Sequence, residues 1–98
     1  MKISKKIKVS NRVKVYSLKR IKKGKYPKNL YFLCTSPYNS LGFEIIKGKY
    51  LTTNYKNSYL LGVTKDKDTV IEYLRLLIDE MYNKQTFTYD TLLREVKE

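Results

Sequence analysis

Between Thr64 and Asp68 the spacing of apolar residues changes. That change constrains the fold more than any other feature of the chain. Before it, apolar residues alternate or form short continuous runs, as strands require; after it they recur at three and four residues, as a helix requires. In KKIKVSNRVKVY (5–16), Ile7, Val9, Val13 and Val15 hold odd positions and Lys6, Lys8, Arg12 and Lys14 even ones. This pattern predicts a strand with one apolar and one basic face, with Ser10-Asn11 as either a two-residue turn or a bulge. Gly24 and Pro27 predict a loop over 19–29. LYFLCT (30–35) is apolar throughout and rich in strand formers, which suits a central strand buried on both faces. SPYNS (36–40) reads as a turn. Strands are expected at LGFEIIK (41–47), at KYLTT (49–53) after a Lys47-Gly48 turn, and at YLLGVT (59–64).

Beyond the change, Val70, Leu74, Leu77 and Met81 form one stripe of a helix over 68–83, broadened by Ile71 and Ile78. Asp68 is a candidate N-cap, and Thr69 with Glu72 fits a capping box. Glu72, Arg75 and Asp79 stand at helical pairing distances on the outer face. A second, short helix is expected over 89–97, with Thr88 as its cap, Phe87 and Leu92 as a hydrophobic staple, and Leu92, Leu93 and Val96 docking it. The expected architecture is α+β: one domain over 1–98, with a basic strand and loop (1–29), further strands (30–64) and the two helices. The sheet is small and antiparallel, of four or five strands, and the helices pack on one face.

Charge is the second informative feature. Residues 1–43 carry 12 basic side chains and no carboxylate, while residues 44–98 carry 9 of each, so the whole +12 excess lies before Glu44. The Lys, Asn, Tyr and Ile content suits an AT-rich coding sequence, but codon bias would spread Lys along the chain and would not exclude Asp and Glu from nearly half of it. The asymmetry predicts a positive surface built by the N-terminal elements.

Several chemistries lack their residues. The chain has no His to act as base for a Ser or Cys nucleophile. One Cys, no His and no CxxC leave zinc and redox metals without ligands. Cys34 sits in the most apolar run, as a buried core residue would. The carboxylates fall mostly on helix surfaces and caps, whereas a two-metal site needs several converging from different elements. KKGKYPKN has one Gly and no strand–loop–helix setting, so it is no phosphate loop. RNA-recognition signatures, GXXG loops and zinc fingers are absent. No enzyme activity, cofactor or metal is expected. A helix-turn-helix over 68–97 would present Tyr89, Asp90, Arg94 and Glu95, which are poor phosphate contacts. The N-terminus is basic with no apolar segment after it, and no run approaches the roughly 18–20 apolar residues of a membrane span, so a cytoplasmic protein without membrane attachment is expected.

The positive surface remains. The expected contact residues are Lys5, Lys6, Lys8, Arg12, Lys14, Lys19, Arg20, Lys22, Lys23, Lys25, Tyr26 and Lys28. Lys acts as a point charge toward phosphate, and only Arg12 and Arg20 in this region offer the bidentate fork that reads guanine. The partner expected is therefore nucleic acid, RNA or DNA, bound mainly through its backbone. Tyr16, Tyr26 and Tyr31, interleaved with the basic residues, are expected to pack in the sheet, as Tyr commonly does in strands, or else to stack on unpaired bases. A solvated face, or charge that protects an edge strand, explains the Lys at even positions of 6–14 but not the exclusion of acids. The rival function is a protein-interaction module. The same face would dock on an acidic surface or in the nucleic-acid channel of a host complex, as an inhibitor of the anti-CRISPR kind carried by a mobile element would. The sequence sets no oligomeric state.

Overall fold

The two runs that are apolar throughout become the two central strands of one sheet. In the computed structural model, residues 1–10, 13, 16–39, 42–85 and 88–89 are described, apart from the side chains of Lys6, Tyr16 and Ser17. Strand β1 is Lys2–Val9, β2 Tyr31–Thr35, β3 Phe43–Lys47 and β4 Tyr59–Thr64, in the spatial order β1-β4-β2-β3. β2 pairs antiparallel with β3, Tyr31 opposite Lys47 through Thr35 opposite Phe43. It also pairs antiparallel with β4, where Leu33 faces Gly62 and Cys34 faces Leu60, so Leu61 is the extra residue of a bulge. β1 joins the other side of β4 in parallel, with its pairing interrupted between Ile3 and Lys8. Among the described residues the sheet is thus mixed and four-stranded, not antiparallel throughout. The two strands that bury both faces take the centre, and the chain must cross the sheet to place β1 beside β4.

Alternation in β2 divides the core in two. Phe32 and Cys34 join Leu60, Val63, Ile3, Val13 and Ile21 on one face, whereas Leu33 joins Leu61, Val70, Leu77 and Met81 on the other. The second face is covered by helix α2, Lys67–Ile78, which continues as a π turn over Asp79–Asn83. The expected stripe of Val70, Leu74, Leu77 and Met81 packs there, but Ile71 and Ile78 are exposed and do not broaden it. The cap is Asp66, two residues earlier than Asp68; its carboxylate accepts from Thr69 N–H at 2.9 Å. Glu72 and Arg75 form the expected ion pair one turn apart.

The first face carries the largest departures from expectation. The basic strand ends at Val9; Ile7 and Val9 turn into the core as alternation requires, and Val13, beyond the strand, is buried there as well. Helix α1, Tyr16–Lys22, begins at the end of the stretch expected to be strand and runs into residues 19–22 of the expected loop; it lies over this face through Leu18 and Ile21. Helices therefore cover both faces of the sheet. KYLTT is not a strand. Lys49 and Tyr50 belong to a 3₁₀ turn, Gly48–Tyr50, Thr53 opens a second, Thr53–Tyr55, and Leu51 and Thr52 link them; Gly48 is pressed against the Pro27 carbonyl, where a Cβ would sit 1.9 Å from the oxygen. The short helix expected over 89–97, with its staple residue Phe87, lies outside the described residues apart from Tyr89. The Tyr89 ring packs on Phe43 with centroids 5.4 Å apart.

Candidate nucleic-acid interface

Helix α1 holds the densest part of the basic run, and its sequence explains both its packing and its end. Leu18 and Ile21 are three residues apart, so they share the face that enters the core. Lys19, Arg20 and Lys22 are left exposed in the last turn, where cations favour the negative end of the helix dipole. Gly24 ends the helix with φ +87°. Its N–H donates to Ile21 C=O at 2.9 Å and that of Lys25 to Arg20 C=O at 2.9 Å. These two bonds define a Schellman cap, which requires a left-handed residue at the position Gly24 holds. The cap reverses the chain, so Lys23 and Lys25 emerge exposed next to the basic last turn.

The loop after the cap is tied to the end of β3. Gly48 N–H donates to Leu30 C=O at 2.8 Å, and Lys49 N–H to Lys28 C=O at 3.2 Å. This brings exposed Lys28 beside Lys49 and Tyr50, both also exposed and neither expected from the sequence. A signal for them existed: the tetrapeptide Lys-Gly-Lys-Tyr occurs at 23–26 and again at 47–50. Both copies abut the same Phe32 ring. Tyr26 meets it T-shaped with centroids 6.0 Å apart, and the missing Cβ of Gly48 would lie 3.1 Å from its Cε1. The two tyrosines differ in fate. Tyr26 is half-buried in the core around Ile21, and burial raises its hydroxyl pKa, so it is a packing residue rather than a stacking platform. Tyr50 points to solvent, with the Lys49 ammonium 5.0 Å from its ring centroid. Tyr31 is half-buried with the Lys47 ammonium 5.5 Å from its ring.

The basic residues of β1 do not all join this surface. Lys8 reaches across the other face of the sheet to Glu80 of the π turn, 3.7 Å away, so it belongs to the α2 layer. Lys5 is exposed on the strand. Lys6 by its side chain, and Arg12, Lys14 and the side chain of Tyr16, lie outside the described residues. Among the described residues, every ion pair involves α2 or the π turn: Lys8 with Glu80, Arg75 with Glu72, and Lys84 with Asp79. Lys19, Arg20, Lys22, Lys23, Lys25, Lys28 and Lys49 make none with the described residues. The two sides of the sheet therefore differ in charge: the α2 side is mixed and internally paired, whereas the α1 side carries a cluster of exposed cations, with Glu44, opposite Cys34 in the ladder, held by hydroxyls at the hairpin.

A polar cluster lies at the far side of the β2–β3 hairpin. Glu44 accepts from Tyr55 Oη at 2.7 Å and from Ser36 Oγ at 2.5 Å, and Ser36 Oγ in turn accepts from the amides of Tyr38 and Asn39. Burial, then the hydrogen bond to Glu44, raises the Tyr55 hydroxyl above its ordinary pKa. Cys34, opposite Glu44 in the ladder, has its thiol pushed up to about 12, first by burial and then by the Glu44 charge. A thiol held protonated is a poor nucleophile, and the carboxylate is occupied by the two hydroxyls, so the cluster acts as a structural clamp on the hairpin. Among the described residues no group of His, Cys, Asp and Glu is placed to hold a metal ion. None of the described helices is long and apolar enough to cross a membrane. Comparison of the chain with protein-family models, with curated proteins and with solved structures gives no match.

Proposed function

We propose that this chain is a non-enzymatic nucleic-acid-binding protein of the cytoplasm, gripping the phosphate backbone through α1, its capped exit and the adjoining Lys28–Lys49 edge. One observation carries the reading: a cluster of exposed cations that no carboxylate among the described residues neutralises, on the face opposite the paired charges of α2. Surface charge of one sign held apart from its counter-charges costs self-repulsion, and a polyanion with a condensed counterion layer relieves it. With Arg20 the only arginine described on this face, the contact is to backbone rather than to base edges.

Fluorescence anisotropy with labelled single-stranded RNA, single-stranded DNA and duplex DNA, each at several salt concentrations, tests the proposal. The expected result is sub-micromolar binding near physiological salt, with log K falling by roughly 0.7–0.9 per log unit of salt for each phosphate contacted. Binding of all three that vanishes at moderate salt would overturn it. The positive face would then belong to a protein contact, the inhibitor reading, to be sought by stoichiometric pull-down.

A further inference from the structure

We infer that Tyr50 is a stacking platform for an unpaired base, and hence that the ligand of the positive face is a single strand. The inference rests on the nucleic-acid reading above and narrows its ligand class.

Three large tyrosines stand exposed among the described residues: Tyr38, Tyr50 and Tyr82. Their surroundings separate them. Tyr82 lies in the π turn with Asp79 and Glu80, where a phosphate chain is repelled. Tyr38 packs edge-on against Tyr55, its hydroxyl accepts from Asn54 Nδ2 at 2.9 Å, and its neighbour is the Glu44 clamp. Tyr50 is set among cations. Lys49 lies over its ring, and Lys28 is tied beside it by the Lys49–Lys28 backbone bond.

The platform is also rigid. The turn that presents Tyr50 is closed by Leu51 N–H to Gly48 C=O at 3.1 Å and held to the 27–30 loop by the bonds of Gly48 and Lys49. Its first residue is buried against Pro27 and Phe32 with no room for a side chain. A tyrosine has two side-chain torsions to order, so a fixed backbone leaves little entropy to lose when a base stacks. Lys49 over the ring adds a cation–π contact, and the ring, 62 % exposed, offers surface to a base. In a duplex every base is already stacked and paired, so the same ring gains nothing without flipping a nucleotide out. A ring flanked by Lys28 and Lys49 matches the pattern of single-strand grooves, in which cations follow the backbone and an aromatic residue takes a base.

The test compares wild type, Tyr50→Ala and Tyr50→Phe in anisotropy titrations with a labelled single-stranded pyrimidine 12-mer and with a duplex of the same length. Tyr50→Ala is expected to weaken single-strand binding between about fivefold and a hundredfold. It should leave duplex affinity and the salt slope unchanged, because no charge is removed. Tyr50→Phe should keep wild-type affinity, since the stacking face is retained. The substituted side chain is exposed, so unchanged circular dichroism melts would show that folding is intact. Wild-type affinity in Tyr50→Ala, or an equal loss toward duplex, would overturn the inference while leaving backbone binding in place. Failure of the wild-type chain to bind either strand form would overturn both.

Discussion

At the residue scale, Cys34 and Glu44 illustrate how burial turns reactive groups into structural ones. A thiol pushed up to about 12 is protonated at neutral pH, and the side chain is fully buried. Modification by a thiol reagent at pH 8 should be slower in the folded chain than in the urea-unfolded chain by on the order of a thousandfold. Comparable rates would contradict the burial. The same shift has a consequence for stability. The folded state holds this proton, and that of Tyr55, more tightly than the unfolded chain does. The Cys34 contribution is fully present below about pH 9 and is lost as pH rises toward 12, and that of Tyr55 begins to fall only above about pH 10. Urea midpoints should therefore fall steadily above pH 9, and Cys34→Ala should flatten the first part of that fall. Glu44 is the acceptor for two hydroxyls, and Glu44→Ala orphans both. A loss of about 1–3 kcal/mol in urea unfolding is expected, with Tyr55→Phe losing less because it removes one donor and its need together.

At the scale of elements, α1 is the piece that departs most from the alternating pattern before it. Its signals were in the sequence: Leu18 and Ile21 at helical spacing, basic residues in the last turn, and Gly24 just beyond. Gly24 and Pro27, read together, outweigh them and suggest a loop, and a helix of only seven residues has little periodicity to display. Its stability comes from docking on the sheet and from the cap. Gly24→Ala should lower stability by about 1 kcal/mol, because an L side chain at φ +87° is strained, and Gly24→Asn should lose less. Equal stability of all three chains in urea would show that the cap does not set the helix end. The expected strand over 49–53 failed for a non-local reason. Its pattern suits a strand, but the amides of Gly48 and Lys49 are hydrogen-bonded to Leu30 and Lys28, about twenty residues away in sequence, and the chain there closes a 3₁₀ turn. No local window contains that information.

For the whole molecule, the division of charge along the chain becomes a division between the faces of the sheet, because α1 and α2 lie on opposite sides. The division is not complete: strand alternation sends Lys8 to the α2 side, where Glu80 meets it, and Glu44, opposite Cys34, lies on the α1 side. The binding surface proposed is therefore smaller than the basic half of the sequence, and it gains Lys49 and Tyr50 from the neutral half. Neutralising Lys22, Lys23 and Lys25 together to Gln should reduce the salt slope of nucleic-acid binding by roughly 0.7–0.9 for every phosphate that these side chains hold. An unchanged slope would remove the exit of α1 from the interface.

What the sequence determined by itself is whatever depends on neighbours along the chain. The strands at 31–35, 43–47 and 59–64, the helix with its Val70–Met81 stripe, the α+β class and the inequality of charge all follow from period and composition, which short windows contain. The tertiary structure alone decided what depends on which surfaces meet. It placed β1 parallel to β4, set α1 and α2 on opposite faces, folded Tyr26 inward and left its counterpart Tyr50 outside. Two copies of one tetrapeptide, Lys-Gly-Lys-Tyr, have the same local preferences, yet one caps a helix and the other opens a 3₁₀ turn. Packing against a shared Phe32 ring gives them different surroundings, and burial, being a property of the assembled core, outweighs local preference at both.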